Sequence, residues 1–344
     1  MPENSIYNQS YVERYLLSAL NSPYTKYKNQ QIVEEAVCES PPYVLDIGGN
    51  VHGVVKSPPS LRYLLEEVGI KYIGLDLSLA FFKPPVGLKR SKIYSEVNGV
   101  VGDATFLPFS NQSIPFVVCA DVLEHVPNPL KALQEISRIL KNDGRAIVII
   151  PSMYKLDGIQ YEHIEEIRPS THCNKLRLSQ WLNLCKRAGL TPTERSRALG
   201  IMSGLSYLMW LDDSFVPERQ TPETEPTYSP NARVHKELKK IFSYIDPLVD
   251  QYLQQNPNVK TEILDLLLKG EIGELFNLMR NIAIDFLPDS NQIQRILDGF
   301  NRFIAMPIPR KRITQLVETL KEQKDNVPDN IFLGNSALLV LKKQ

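Results

Sequence analysis

The stretch YVLDIGGNVHGVV, residues 43–55, decides the fold. Its first five residues form an apolar run typical of a buried strand, and the glycines that follow predict a tight turn. Asp46 lies near the end of this strand, and Gly48 and Gly49 would let the backbone approach a ligand closely. The glycine spacing fails the GxGxxG pattern that seats a pyrophosphate on a helix N-terminus, which disfavours a nicotinamide oxidoreductase. An acid at this turn would repel phosphates but would suit a cationic ligand.

Short apolar runs alternate with helical patterns along the first 200 residues. The predicted elements are strands at 43–47, 71–77, 99–104, 115–122, 145–151 and 190–198, and helices at 6–20, 60–69, 129–144 and 178–189. Gly144 is expected to stop the helix before the fifth strand. Near-continuous apolar strands joined by helices indicate a parallel sheet covered on both faces, so the sequence predicts an α/β, doubly wound fold.

The second half of the chain has a different composition. Residues 216–231 contain four prolines and few apolar residues, so they predict a loop. Residues 232–325 show helical periodicity, with Pro247 expected to kink the first helix. The remaining helices are predicted near 260–287, 291–304 and 310–324, before a closing strand, SALLVLKK, at 336–343.

Composition and charge limit the classes of partner. The 39 basic residues balance the 39 acidic ones, so no overall field favours nucleic acid. The four cysteines form no CxxC pair, which fits a reducing compartment. The N-terminus lacks a signal-peptide pattern, and the longest charge-free apolar stretch, residues 198–211, is too short to span a bilayer. We therefore predict a cytoplasmic protein without a transmembrane segment.

Four successive predicted strands carry an acidic residue at or near their carboxyl ends. These residues are Asp46, Asp76, Asp103 and Asp121. A single aspartate at a strand end is usually a turn residue or a helix cap, but ligands of parallel sheets bind beyond the carboxyl ends of the strands. One carboxylate accepts both hydroxyls of a ribose, which suits Asp76, and Asp103 suits the exocyclic amine of adenine. The pattern therefore favours a nucleoside with a cationic part.

The segments VLDIGG, GLDLS and VVGDATFLPFSNQSIPFVVCADVLEHVPNPLKALQEISRILKNDGRAIVIIPS resemble the class I S-adenosylmethionine-dependent methyltransferases. The nearest branch carries D-A-x-x-L-P-F after the third strand and L-E-H-V after the fourth. The resemblance covers residues 43–152, and more loosely continues to 198 and over 331–343. It implies a methyltransferase that uses S-adenosyl-L-methionine. The helical block in the second half of the chain suggests a pocket for a small or medium-sized acceptor molecule, with an apolar acceptor as one option.

The same resemblance implies the fold in more detail. It predicts a Rossmann-like sheet of seven strands whose last strand is antiparallel. The expected domains are an N-terminal helical segment at 1–40, a core at 41–198 plus 327–344, and a mostly helical insertion at 199–326. We expect this insertion to act as a substrate lid.

The resemblance also implies which residues hold the cofactor. The ribose is expected at Asp76 and Leu77, and the adenine edge at Asp103 and Ala104. The methionine part is expected against Asp46, Gly48, Gly49, Asn50, Ala120 and Asp121.

The turn departs from the family pattern at two positions. The family usually has a small residue where this chain has Asn50 and a glycine where it has His52. Asparagine tolerates a left-handed backbone, so the turn can still form, while His52 adds bulk beside the cofactor. The rival hypothesis is a methyltransferase-fold pseudoenzyme, or a binding or interaction protein, with weak or no cofactor turnover.

Residues after the fifth strand are candidates for acceptor binding. His163 is the candidate general base, needed only if the acceptor is a hydroxyl or a protonated amine. A zinc site of His163, His172, Cys173 and Cys185 is disfavoured because the paired short spacings of structural zinc sites are missing, and we interpret His125 as structural. The candidate acceptor contacts are Tyr161, His172, Tyr207 and Trp210. The alternatives are that the residues after the fifth strand are ordinary loop and helix-cap residues, and that residues 198–211 simply form the core of the insertion.

Overall fold

The structure is a computed structural model that describes residues 22–49, 60–78, 98–151, 173–174, 176–205, 230–287, 290–305 and 310–344. Its first elements are α1 Pro23–Glu39, β1 Tyr43–Ile47, α2 Leu61–Glu67, β2 Lys71–Asp76, β3 Gly99–Val101, β4 Ile114–Ala120, α3 Pro129–Ile139 and β5 Leu140–Pro151. Then follow α4 Leu178–Arg187, β6 Leu190–Pro192, β7 Arg197–Leu199 and α5 Ile201–Leu205. The last elements are α6 Pro230–Gln255, α7 Pro257–Lys269, α8 Ile272–Asp285, α9 Ser290–Ile304, α10 Arg310–Lys324 and β8 Ser336–Lys343.

Side-chain caps start several of these helices. The hydroxyl oxygen of Ser22 accepts from the backbone N–H of Thr25 at 3.3 Å, and Ser60 caps α2 in the same way. Asn128 caps α3, where its side-chain oxygen accepts from Lys131 N at 3.1 Å. Each cap satisfies a backbone donor that the helix itself leaves unpaired.

The sheet has the strand order β3-β2-β1-β4-β5-β8-β6, and β7 also pairs with β8. Strands β1 to β5 are parallel, whereas β8 is antiparallel to β5, with Ser336 opposite Pro151. The predicted doubly wound α/β sheet with an antiparallel last strand is confirmed. The sheet has eight strands instead of seven because a turn at 193–196 divides the predicted strand 190–198 into β6 and β7, both paired with β8.

Two of the predicted helices end at other residues in the structure than the sequence indicates. Helix α3 ends at Ile139 and not at Gly144, because Ser113 N donates to the carbonyl of Ile139 at 2.8 Å and Leu140 turns extended to pair with Ile114. A side chain at Gly144 would lie 2.7 Å from the carbonyl oxygen of Pro115, so this glycine permits close strand packing.

The predicted helical segment 260–287 is also divided. Gly270 ends α7 in a left-handed conformation with φ 73°, and α8 starts two residues later. Pro247 lies inside α6 without ending it.

Helices cover both faces of the sheet. One hydrophobic cluster joins α1 and α2 to one face through Ile32, Ala36 and Leu65. The other face packs against α3 and α4, and this second cluster continues into α5 to α10. Within the later helices, the buried rings of Phe242 and Phe276 both neighbour the buried ring of Phe300, with centroid distances of 5.8 and 6.4 Å. The one-sided apolar faces of these helices are thus buried against one another and against the core.

The helices between β7 and β8 leave and rejoin the sheet at one edge. Strand β7 is antiparallel to β8, which is antiparallel to β5, so β7 ends at the carboxyl edge of the parallel strands. The backbone N–H of Asn335 donates to the carbonyl of Gly200 at 3.1 Å, which joins the two ends of this segment. The division into three domains, with a lid at 199–326, stays a prediction, and residues 1–21 lie outside the described part of the chain. Among the helices that the structure describes, none has the length and apolarity needed to cross a membrane.

Candidate functional site

The predicted acids lie along the carboxyl edge of the parallel strands. Asp46 is the fourth residue of β1, Asp76 ends β2, and Asp121 directly follows β4. Asp103 follows β3 by two residues and forms an isolated bridge with Phe106. Because β2, β1 and β4 are adjacent and parallel, their carboxyl ends share one edge.

The turn after β1 needs both of its glycines for packing within the protein. Gly48 has φ +74°, and a side chain there would lie 2.3 Å from a methyl group of Val122. A side chain at Gly49 would lie 2.4 Å from the hydroxyl of Tyr72. The N–H groups of both glycines point to the carbonyl of Leu75, at 2.7 and 3.3 Å. The turn is therefore fixed against β2 and the segment after β4.

Asp46 belongs to β1, and its side chain packs against this turn, because its Oδ2 is 3.1 Å from the position that a Cβ at Gly49 would take. It is only 5% exposed, and the hydroxyl of Tyr72 donates to its Oδ2 at 2.7 Å. Burial raises the pKa of Asp46 to about 7, an effect that this hydrogen bond and the charge of Lys28 oppose. Asp46 thus supports the turn, and its direct contact with a ligand stays a prediction.

The ends of β2 and β3 combine acids with exposed apolar side chains. Asp76 is buried and accepts from the backbone N–H of Ser78 at 3.0 Å. Asp103 is exposed, and its Oδ1 accepts from the N–H and the hydroxyl of Thr105 at 2.7 and 2.8 Å. Beside them, Leu77 is 56% and Phe106 is 79% exposed. Apolar surface next to carboxylates is what a flat base joined to a sugar requires.

An ion pair on α3 holds the loop after β3. The Oε2 of Glu135 accepts from the N–H of Leu107 at 2.9 Å. Arg138 donates to both oxygens of Glu135 and to the carbonyls of Leu107 and Phe109. The hydrogen bonds from Arg138 lower the pKa of Glu135 to about 2. Spacing alone did not reveal this role, because an i, i+3 pair on a helix usually faces solvent.

Two buried charged residues near the end of β4 have roles that the sequence did not reveal. Lys28 of α1 is 9% exposed and forms an ion pair with Asp121, whose φ is +55°. Glu124 is 2% exposed, and its Oε2 is buried without a hydrogen-bond partner in the part of the chain that the structure describes. Burial, and then the charge of Asp121, raise the pKa of Glu124 to about 8. Glu124 lies within the L-E-H-V motif, which is a signal that could have found it, whereas Lys28 lies in no motif.

The remaining predicted site residues fall into two groups, inside and outside the described ranges. Ala104 and Ala120 are half-buried beside the acids that they neighbour. Cys185 is buried on α4, and burial raises the pKa of its thiol to about 12, which disfavours a zinc-binding thiolate. No metal-holding group of three His, Cys, Asp or Glu side chains occurs among the described residues. The predicted residues outside the described ranges are Asn50, His52, Tyr161, His163, His172, Tyr207 and Trp210.

Residues 22–195 match the family model described as a methyltransferase domain. The chain belongs to this methyltransferase family. The predicted resemblance to class I S-adenosylmethionine-dependent methyltransferases is thereby confirmed at the level of family and fold.

Individual relatives match parts of the chain. It is 27% identical over 154 residues to the uncharacterized methyltransferase YcgJ of Bacillus subtilis, covering 44% of this chain and 57% of that protein. It is 35% identical over 82 residues to the demethylmenaquinone methyltransferase of Renibacterium salmoninarum, covering 24% and 32%. The matches thus span about a third to just over half of these relatives. The crystal structure of YcgJ is similar with a TM-score of 0.40 and 20% identity, covering 50% of this chain and 71% of that one.

The ion pair on α3 predicts a specific response to acid. Because the pKa of Glu135 is lowered from 4.5 to about 2 in the folded protein, its carboxylate stabilises the fold above pH 4.5, and this contribution is lost as the pH falls towards 2. In Glu135→Gln, the free energy of unfolding in urea should be reduced at pH 7, and its gap from the wild type should narrow from pH 5 to pH 3. The matched control Glu67→Gln, at an exposed carboxylate, should change stability by less than about 0.5 kcal/mol. A gap that stays constant with pH would contradict the assigned ion pair.

Proposed function

We propose that this protein transfers a methyl group from S-adenosyl-L-methionine to a small or medium-sized acceptor with an apolar body, by in-line displacement. The observation that carries the proposal is the row of acids at the carboxyl edge of adjacent parallel strands, in a chain of the methyltransferase family. A sulfonium cofactor with a ribose needs carboxylates at such an edge, whereas a pyrophosphate would be repelled.

The residues present fit the nucleoside part of this cofactor. Asp76 would accept hydrogen bonds from the vicinal ribose hydroxyls. Asp103 and the N–H of Ala104 would meet the polar edge of adenine. The exposed side chains of Leu77 and Phe106 would cover its faces, which explains why apolar groups of this size remain uncovered at the edge.

The turn after β1 and the end of β4 would hold the methionine part. Gly48 and Gly49 bring backbone to the edge, and Asp46 supplies negative charge from inside the turn. Ala120 and Asp121 close the other side. Asn50 would complete this set.

When bound, S-adenosyl-L-methionine supplies an electrophilic methyl group on a sulfonium. The protein needs no covalent chemistry of its own, because orienting the acceptor atom in line and excluding water account for the catalysis. A general base is required only for a hydroxyl or a protonated amine. His163 remains the candidate for that role.

The segment that follows β7 begins beside the proposed acceptor side. Helix α5, Ile201–Leu205, starts at the carboxyl edge and is buried, with Ile201, Met202 and Leu205 in the hydrophobic core. The segment 199–326 leaves and rejoins the sheet at this edge, so its helices are well situated to cover an acceptor there as a lid. Several partial relatives are named demethylmenaquinone methyltransferase, which makes quinones a class of acceptor to test.

The proposed ribose contact gives the first test. Asp76→Ala should weaken S-adenosylhomocysteine binding, measured by calorimetry, by about 1.5–3 kcal/mol, the cost of losing charged hydrogen bonds. Asp143→Ala is the matched control, because Asp143 is an exposed acid near the start of β5, at the opposite edge. Equal affinities of the two variants would remove β2 from the nucleoside site. No binding by the wild type would favour the rival, a methyltransferase-fold protein without turnover.

The buried carboxyl of Asp46 predicts a pH dependence of binding. Its pKa is raised to about 7, so the carboxylate that favours a cationic ligand forms as the pH rises through 7. Affinity for S-adenosyl-L-methionine should increase between pH 6 and pH 8, by no more than about tenfold per pH unit for one proton. In Asp46→Asn the increase over this range should be smaller, because only other groups such as Glu124 still titrate. An unchanged pH profile in the variant would show that Asp46 does not control the site.

A further inference from the structure

An ion pair lies at the end of β4, and its contribution to stability does not by itself explain why a lysine is placed there. Lys28 projects from α1 and pairs with Asp121, and its side chain is 11% exposed. The desolvation cost of a buried lysine can exceed what an ion pair with a partly exposed carboxylate returns, so this pair is weak evidence for a role in stability. A lysine in this place is better explained by a ligand.

Helix α1 fixes Lys28 at the carboxyl edge. The neighbouring Tyr27 donates from its hydroxyl to Asp250 of α6 at 2.9 Å. Further along α1, Glu35 forms ion pairs with Arg195 and Arg197. The helix is thus tied to the sheet edge and to the later helices, and Lys28 is held in position before any ligand arrives.

Lys28 lies among carboxyl groups that its charge influences. It forms the ion pair with Asp121, and its charge opposes the burial that raises the pKa values of Asp46 and Glu124. The Oε2 of Glu124 is buried without a hydrogen-bond partner among the described residues, which marks this cluster as a place where a polar group is still to be supplied.

The methionine part of the cofactor carries two opposite charges. Its α-ammonium needs an acceptor, and its α-carboxylate needs a cation. The pair of Lys28 and Asp121 offers one of each, side by side, at the end of β4 where the methionine part is expected. If each protein charge takes the opposite charge of the ligand, no charge is left unpaired in the bound state.

We propose that Lys28 exchanges its ion pair with Asp121 for the α-carboxylate of the cofactor, while Asp121 accepts the α-ammonium. The inference rests on the proposed function, because it requires the S-adenosyl-L-methionine site to be at this edge. It makes α1 part of the cofactor site, and it makes the site selective for ligands that retain the amino-acid carboxylate.

The test compares two ligands that differ by one carboxylate. S-adenosylhomocysteine and its decarboxylated analogue are titrated by calorimetry into the full chain, as wild type, Lys28→Met and Lys28→Arg. Lys28→Met should weaken S-adenosylhomocysteine binding by about 10- to 100-fold, the range for a charged hydrogen bond, and should change the analogue by less than about threefold. Lys28→Arg keeps the charge and should recover most of the affinity.

Matched controls separate binding from folding. Lys26→Met removes an exposed lysine from the same helix and should leave both affinities unchanged. The double variant Lys28→Met with Asp121→Asn avoids an unpaired acid, so it covers the case in which the single variant folds poorly. It should bind S-adenosylhomocysteine no more tightly than the analogue.

The outcomes distinguish this inference from the proposed function. Equal weakening of both ligands by Lys28→Met, or no weakening of either, would overturn the role of Lys28 while leaving the cofactor site intact. Failure of the wild type to bind either ligand would overturn the proposed function, and the inference with it.

Discussion

The parallel pairing of β1 with both β2 and β4 is the constraint on which the site depends. From β1 the sheet extends to β2 and β3 on one side and to β4 and β5 on the other, so the strand order reverses beside β1. Such a reversal opens a crevice at the carboxyl ends of the strands. Strand β1 is buried on both faces, and Asp46 is the polar exception within it. The hydroxyl of Tyr72, from the adjacent β2, lets the strand keep that carboxyl in the interior.

The surrounding elements fix the crevice from three directions. Glu135 and Arg138 bind the loop after β3 to α3, and the glycine turn after β1 is held by Leu75. Helix α1 extends from Lys28 at the carboxyl edge to Glu39, which approaches Arg145 near the start of the regular pairing of β5. Preorganised groups of this kind lower the cost of ordering when a ligand binds. The site is therefore a property of the whole sheet and of the helices on both of its faces.

Tyr27 and Lys28 join two parts of the protein through adjacent residues of α1. Lys28 reaches Asp121 in the core, and Tyr27 reaches Asp250 of α6, in the segment between β7 and β8. Asp250 also accepts from the N–H groups of Gly200 and Ile201, where that segment begins. Burial raises the pKa of Asp250 to about 6, while these N–H groups favour its charged form. A ligand that engages Lys28 would thus contact the same helix that supports the later helices.

The sequence predicted what depends on local pattern and missed what depends on tertiary contact. Alternating apolar runs were enough for the sheet, and the acids at Asp46, Asp76 and Asp121 followed from the strand ends. The prediction that Gly144 ends a helix was wrong, because glycine is typical both of helix ends and of places where two strands approach closely, and Gly144 is the second case. Lys28 was missed because it is separated from Asp121 by 93 residues in the sequence, and no local pattern reveals a contact over that separation.

The most direct test of the cofactor site is a crystal structure of the full chain with S-adenosylhomocysteine. The ribose is expected at Asp76, the adenine between Asp103 and the exposed side chains of Leu77 and Phe106, and the α-carboxylate at Lys28. The structure also contains a cavity of about 520 Å³ at the opposite end of the strand order, lined by residues of β7, α6 and α7 that include Lys260. Ligand bound in that cavity, with Asp76 and Asp121 uncontacted, would contradict the assignment of the site to the carboxyl ends of β1, β2 and β4.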